Sequence, residues 1–79
     1  MNFSQLKFVK ATSEFKSFSK AVEFCHVTQP TLSNGVSKLE EELGEKMFIR
    51  TTRTVRLTPF GDMLLPTIES ILSLRECFT

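Results

Sequence analysis

The chain has 79 residues, a formal net charge of +1 and a hydrophobic fraction of 41%. That length forms one small domain, and the composition is that of a globular protein rather than a disordered one. No apolar run is long enough to cross a bilayer, and the N-terminus lacks the pattern of a secretory signal, so we expect a cytoplasmic protein.

Catalytic chemistry is not expected of this chain. It has one histidine and two cysteines, without metal-ligand spacing or a disulfide framework. No Gly-rich phosphate loop and no pair of carboxylates in an apolar setting are present to complete an active site. We therefore expect neither an enzyme nor a cofactor or metal site.

Charge is unevenly distributed along the chain although its total is close to zero. The segment 46–56 contains four basic residues and no acid. The residues just before it are rich in glutamate, at positions 40, 41, 42 and 45. This segregation predicts a basic surface patch beside an acidic one.

The first two predicted helices are short. An apolar stripe predicts a helix over 4–13, with Ser4 as its N-cap. Ser17 is suited to cap a second helix that ends near Cys25, and we expect the Cys25 thiol to be buried. His26 and Val27 then form a bend.

The third predicted helix covers 28–43. Thr28 is its N-cap and Pro30 lies in its first turn, where no backbone donor is needed. Its buried stripe recurs at helical spacing and consists of Leu32, Val36, Leu39 and Leu43. Gly44 ends the helix. Gly35, inside it, either allows a binding partner to approach closely or is simply tolerated, and we favour tolerance.

Two runs of strand-forming residues, 47–49 and 54–57, enclose the basic segment 50–53. They predict a two-stranded ribbon with a basic tip, packed on the helices.

Thr58 and Pro59 begin a last helix, in which Pro66 predicts a kink. This helix has more apolar positions than a small domain can cover, so we expect a partner on it. One side should pack on the first helix and the other on a second copy, and the expected dimer residues are Leu64, Leu65, Ile68, Ile71 and Leu72. The phenylalanines assigned to the core or its edge are Phe8, Phe15, Phe18, Phe24, Phe48 and Phe60.

This order of elements predicts a mainly α winged helix-turn-helix, with a three-helix core, a two-stranded β wing and a long C-terminal helix. We expect the winged helix-turn-helix domain at 1–58 and the helix that forms a dimer at 59–79.

The outer face of the third helix indicates what it binds. It has short hydrogen-bonding side chains and lacks acids until Glu40, and its members are Gln29, Thr31, Ser33, Asn34, Ser37 and Lys38. The second helix of a helix-turn-helix meets base edges in the major groove with such groups. The basic tip at 50–53 would reach the backbone or minor groove, and the helix starts at Ser17 and Thr28 suit phosphate.

One alternative stays open. The same fold is compatible with an interaction module whose polar helix binds protein and whose last helix only forms oligomers. Arg50 has a second interpretation as well, in which it pairs with a nearby glutamate on the surface instead of contacting DNA.

Several motifs together resemble the N-terminal DNA-binding domain of LysR-type transcriptional regulators. They cover nearly the whole chain in order and are Ser17-Phe18-Ser19-x-Ala21-Val22, Val27-Thr28-Gln29-Pro30-Thr31-Leu32-Ser33, Leu39-Glu40, Leu43-Gly44, Phe48-x-Arg50 and Leu57-Thr58-x-x-Gly61. The chain departs from the common pattern at Val22, where alanine is usual, at Cys25, where leucine is usual, and at Asn34, which is often basic.

The resemblance implies that 1–58 is a DNA-binding domain and that the helix at 59–79 is a linker that pairs with its twin in a dimer. It also implies that the third helix enters the major groove of a partly palindromic site. It assigns base and phosphate contacts to Gln29, Pro30, Thr31, Ser33, Asn34 and Arg53. The expected backbone contacts are Ser17, Thr28, Lys38 and Arg50. Family members have a larger C-terminal effector-binding domain, so we expect a fragment or a short member that meets a small-molecule effector only through that missing domain.

Overall fold

The computed structural model describes residues 2–51 and 55–77. Over these residues the order is α1 (Phe3–Phe15), α2 (Phe18–Cys25), α3 (Gln29–Leu43), β1 (Phe48–Arg50), β2 (Val55–Leu57) and α4 (Pro59–Cys77). The mainly α winged helix-turn-helix is confirmed: α1, α2 and α3 pack together, the two strands form the wing, and α4 returns across α1. No helix in the described part has the length and apolar character that a membrane span requires.

The start of α1 differs from the prediction. Asn2, not Ser4, is the N-cap: its side chain accepts a hydrogen bond from the Gln5 amide at 2.8 Å, and Gln5 Oε1 accepts one from the Asn2 amide at 3.1 Å. This reciprocal capping box uses two backbone donors that would otherwise lack partners. The helix also runs further than 4–13, because the chain leaves it only at Lys16, where φ is 52°.

The other helix boundaries follow the sequence signals closely. The hydroxyls of Ser17 and Thr28 accept hydrogen bonds from the third amide of α2 and α3, respectively. His26 ends α2 in the left-handed conformation, with φ 57°, and so makes the predicted bend. Gly44 ends α3 with φ 74°, a region that glycine enters without steric cost.

The core lies between α1, α3 and α4 and extends to the base of the wing. The stripe of α3 is buried at Leu32, Val36 and Leu39, each with no exposed surface, while Leu43 is half-buried. Met47 and Phe48 extend this core into β1. One face of α3 is thus fixed against the body and the opposite face is left in solvent.

Gly35 has a different reason for being glycine than either alternative considered from the sequence. A Cβ built on Gly35 would lie 2.8 Å from Phe8 Cδ2 and 3.0 Å from Phe8 Cε2. The missing side chain therefore makes room for the ring of α1 against α3 inside the protein, and tolerance of an idle glycine is the wrong interpretation.

The assignment of the phenylalanines is partly wrong. Phe48 is buried, and Phe8, Phe18 and Phe60 pack at the edge of the core. Phe24 is 64% exposed and Phe15 is 38% exposed, and their rings lie 5.5 Å apart at the surface.

The wing is an antiparallel pair in which Phe48 faces Leu57 and Arg50 faces Val55. Its base is tied to the start of α4 by Thr58, whose hydroxyl donates to Lys46 O at 2.6 Å and accepts from the Gly61 amide at 3.1 Å. The Thr58 amide donates to Met47 O at 2.9 Å. These bonds fix the wing to α4.

The last helix packs on α1 with two of the five predicted dimer residues. Ile68 is 2% exposed and Leu72 is 5% exposed within the single chain, so both pack in its core and leave little surface for a second copy. Their predicted contact with a second copy stays a prediction. The helix is continuous through Pro66, and the kink expected there stays a prediction.

Gly61→Ala tests how tightly α4 docks on the wing. A Cβ at Gly61 would overlap Met47 O, a backbone atom that cannot move without disturbing β1. We expect a loss of about 1–3 kcal/mol in the free energy of unfolding, although alanine is favoured over glycine in a helix by about 1 kcal/mol. Urea unfolding measures it, and Ser70→Ala, at an exposed position of α4, is the matched control. A stabilised Gly61→Ala chain would contradict the close contact.

Candidate nucleic-acid interface

The exposed face of α3 contains most of the predicted DNA-binding residues. Those on its exposed side are Gln29, Pro30, Thr31, Asn34 and Lys38, with Ser33 and Ser37 half-buried beside them. The first turn of α3 has no acidic residue, so the positive end of the helix dipole is not neutralised there. The exposed face of α3 therefore presents amide and hydroxyl groups and has no carboxylate near the start of the helix.

The hydroxyls at the start of α3 are already engaged with each other. Thr28 Oγ1 and Thr31 Oγ1 lie 2.8 Å apart, and the Thr31 amide donates to Thr28 Oγ1 at 3.4 Å. Both residues remain exposed. The helix start is therefore ordered by its own side chains before any ligand is present.

Two of the predicted backbone contacts, Ser17 and Arg50, lie on other elements than α3. Ser17 is half-buried at the start of α2, where its hydroxyl accepts from the Lys20 amide at 3.3 Å. Arg50 is exposed at the end of β1. Arg53 lies outside the described residues, so its predicted role stays a prediction.

Arg50 has a partner other than the glutamate considered from the sequence. Its guanidinium carbon lies 4.6 Å from the centroid of the Phe18 ring, within the range of a cation–π contact. Phe18 directly follows Ser17, so this contact brings the end of β1 next to the first turn of α2.

Sequence reasoning missed the residue that joins α3 to the wing. Glu40 is only 5% exposed, and its Oε2 accepts hydrogen bonds from the amides of Met47 at 2.6 Å and Phe48 at 3.3 Å. The sequence predicts Glu40 in an exposed acidic patch, and only Glu41, Glu42 and Glu45 of that patch are exposed. A signal was present, because Glu40 directly follows buried Leu39 and lies four residues after buried Val36.

Cys25 is half-buried rather than fully buried. Burial raises the pKa of its thiol above the ordinary value, and the charge of Lys7 acts in the opposite direction. The thiol faces a groove of about 530 Å³ formed by α1, the end of α2 and Leu72 of α4. None of the residues that line this groove belongs to the exposed face of α3.

No cluster of three or more metal-binding side chains occurs among residues 2–51 and 55–77. What the described residues offer instead is the polar face of α3, the start of that helix and the exposed Arg50. Proteins bind nucleic acid through groups of these kinds.

Comparison with known proteins identifies the family. The model of the family described as "Bacterial regulatory helix-turn-helix protein, lysR family" matches residues 3–62. The chain belongs to the LysR family. It contains the DNA-binding helix-turn-helix domain of these transcriptional regulators, a class of regulators and not of enzymes.

A curated relative is the hydrogen peroxide-inducible genes activator of Haemophilus influenzae, 42% identical over 72 residues that cover 91% of this chain and 24% of the relative. The chain thus spans about a quarter of the length of the curated relatives it matches first.

Solved structures of LysR-type regulators match the fold closely. Full-length OxyR from Pseudomonas aeruginosa superposes with a TM-score of 0.94 at 38% identity, covering 99% of this chain and 26% of that one. The DNA-binding domain of BenM in complex with catB site 1 DNA gives 0.93 at 33% identity, covering 99% of this chain and 87% of that one.

Glu40→Gln tests the link between α3 and the wing. Glutamine keeps the shape, and its carbonyl oxygen can take the place of Oε2, but it accepts the two hydrogen bonds without the negative charge that strengthens them. We expect a loss of roughly 1.5–3 kcal/mol in the free energy of unfolding. Urea unfolding measures it. Glu41→Gln, at the exposed neighbour, should stay within about 0.5 kcal/mol, and equal effects of the two variants would contradict the role of Glu40.

Proposed function

We propose that this chain binds double-stranded DNA sequence-specifically in a transcriptional regulator, with α3 in the major groove. The observation that supports this most directly is the exposed, acid-free start of α3 opposite a fully buried stripe. A helix of 15 residues is about 22 Å long, and a major groove about 12 Å wide admits such a helix with its side chains.

Residues on α3 are the proposed base readers. Asn34 and Gln29 have amide groups that pair bidentately with adenine, and the Thr31 methyl suits the methyl group of thymine. The full proposed set is Gln29, Pro30, Thr31, Ser33 and Asn34. Glu40 lies too far along α3, and too deeply buried, to oppose DNA near the helix start.

Side chains around this face are the proposed backbone contacts. Lys38 is exposed further along α3, and Arg50 is exposed at the end of β1. The hydroxyls of Ser17 and Thr28 lie at helix starts, where amide donors and the dipole favour phosphate. We include Arg53 on the strength of its place in the basic segment 50–53.

We also propose a homodimer formed through α4, in the cytoplasm. At about 100° per residue, one flank of the helix presents Leu64 and Ile71, both half-buried, together with exposed Leu74 and Met63. The opposite flank has exposed Asp62 and Glu69. An apolar flank of this kind at the surface fits a second copy of the same helix. Leu65 lies towards the acidic flank and contributes less.

Selection of bound sequences from random duplex DNA tests the central proposal. We expect recovery of one motif repeated with two-fold symmetry, with half-sites about one helical turn apart or a multiple of it. Binding should weaken with salt by about 0.9 log unit per tenfold salt for each phosphate neutralised. Failure to enrich any sequence, with a folded chain, would instead favour an interaction module that binds protein.

Asn34→Ala separates base reading from backbone contact. We expect it to lose roughly 1–3 kcal/mol on the selected site and to relax the preference at one base position. Lys38→Ala is the contrast: it should weaken all sequences alike and lower the salt slope by about 1. Fluorescence anisotropy over a panel of single-base variants measures both. An unchanged preference at every base position in Asn34→Ala would remove Asn34 from the base readers.

Ile71→Glu tests the dimer. A carboxylate on the apolar flank of α4 has to be desolvated in the interface, so we expect a monomer at concentrations where the unaltered chain is a dimer. Sedimentation equilibrium measures the change. Ser73→Glu adds the same charge at an exposed position towards the acidic flank and should leave the association unchanged. A dimer unaffected by Ile71→Glu would place the contact elsewhere.

A further inference from the structure

The Phe18 ring joins α2 to β1 of the wing through two different contacts. It meets the Phe48 ring nearly edge-on, with centroids 6.1 Å apart and an interplanar angle of 68°. It also lies under the Arg50 guanidinium, whose carbon is 4.6 Å from the ring centroid. Phe18 is half-buried, so one part of the ring belongs to the core and another reaches the surface.

Both partners lie on one face of the same strand. Phe48 and Arg50 are two residues apart in β1, and side chains at this spacing point to the same side. Ile49, between them, points away and is 49% exposed. The ring thus contacts the buried beginning of β1 and its exposed end at once, and it spans the transition from core to surface.

We propose that Phe18 is a positioning residue for DNA binding, which acts by holding the Arg50 guanidinium at the start of α2. The inference deepens the proposed function and rests on it. Phe18 itself makes no contact with DNA in this proposal. Its role is to fix in advance a cation that would otherwise sample many rotamers on a long side chain.

The geometry leaves Arg50 able to bind while it is held. A cation–π contact uses the flat face of the guanidinium, and its N–H donors point outward in the plane of the group. Within the described part of the chain, no carboxylate forms an ion pair with Arg50. A phosphate can therefore approach the edge of the guanidinium without displacing the ring.

The way in which β1 is fixed also helps to hold Arg50 in place before DNA binds. The amides of Met47 and Phe48 are bound by the buried Glu40 carboxylate, so the beginning of the strand is tied to α3. Phe18 ties the end of the strand to α2. An arginine held at such a junction loses less side-chain entropy when it meets a phosphate than a free one does.

The test is a double-mutant cycle on Phe18 and Arg50 in the 79-residue chain. The variants are Phe18→Leu, Arg50→Ala and the pair, with Phe18→Tyr as the conservative variant that keeps the ring face. Affinity is measured by fluorescence anisotropy on one mixed-sequence duplex of about 30 base pairs, over a range of NaCl concentrations. Binding to such a duplex is mainly electrostatic, so the result does not depend on knowing the operator.

We expect Phe18→Leu to weaken binding about two- to fivefold, the range that corresponds to an exposed cation–π contact. The salt slope should become shallower by up to about 0.9, the value for one phosphate. Phe18→Tyr should restore both values. In the Arg50→Ala background, Phe18→Leu should cause no further loss, because the residue it positions is gone.

Two controls keep the outcomes distinct. Urea unfolding shows that each variant is folded under the binding conditions. The NMR shifts of the Arg50 side-chain protons, measured without DNA, should move upfield in the unaltered chain and in Phe18→Tyr, and lose this ring-current effect in Phe18→Leu.

Additive losses in the cycle, or a Phe18→Leu chain with an unchanged salt slope, would overturn the positioning role while leaving the proposed function intact. If the unaltered chain bound no duplex at low salt, the proposed function would itself fail and this role with it, whatever the NMR shifts showed.

Discussion

The position of the wing relative to α3 depends on a buried carboxylate. Glu40 lies near the end of α3 with 5% of its surface exposed, and it accepts hydrogen bonds from the first two amides that enter β1. These amides face the protein interior, and a buried donor without a partner costs about 1–3 kcal/mol. The Glu40 carboxylate gives both amides a charged acceptor, and hydrogen bonds to a charged group are stronger than neutral ones. Through this carboxylate, the helix that faces solvent and the ribbon beside it become one rigid unit.

Three further contacts make that unit specific in shape. Gly35 lets the Phe8 ring approach α3, and Gly61 lets α4 pass close to Met47 O. Thr58 binds the residues just before β1: its hydroxyl donates to Lys46 O and its amide donates to Met47 O. Each contact joins elements that are distant in the chain, and each depends on a small residue or a short polar one. The exposed face of α3 is therefore oriented by packing behind it rather than by its own side chains.

Much of the fold was predictable because its signals are local. The caps at Ser17 and Thr28 and the stop at Gly44 depend on neighbours within a turn, and the stripe of α3 follows from helical period alone.

What the sequence does not show are contacts between residues distant in the chain. Glu40 looks like one more member of an acidic run until β1 brings its amides to it, and Gly35 has no visible purpose until α1 packs. Ile68 and Leu72 lie on an apolar stripe of α4 that is wide enough to pack on both α1 and a second copy. Only the packing of α4 in the structure shows that these two residues face the core. The residues of the candidate site were predictable as types on one helix face, whereas the place of Arg50 depends on the Phe18 ring.

The pairing of the Thr28 and Thr31 hydroxyls has a consequence for the energetics of recognition. One hydroxyl donates to the other across 2.8 Å, which uses one O–H donor of the pair and leaves the second free to turn towards a ligand. In the proposed complex with DNA, the pair would therefore offer one donor while the bond between the threonines is kept, and a second donor only if that bond breaks. The threonines would then hold the start of α3 in shape and take part in recognition at the same time.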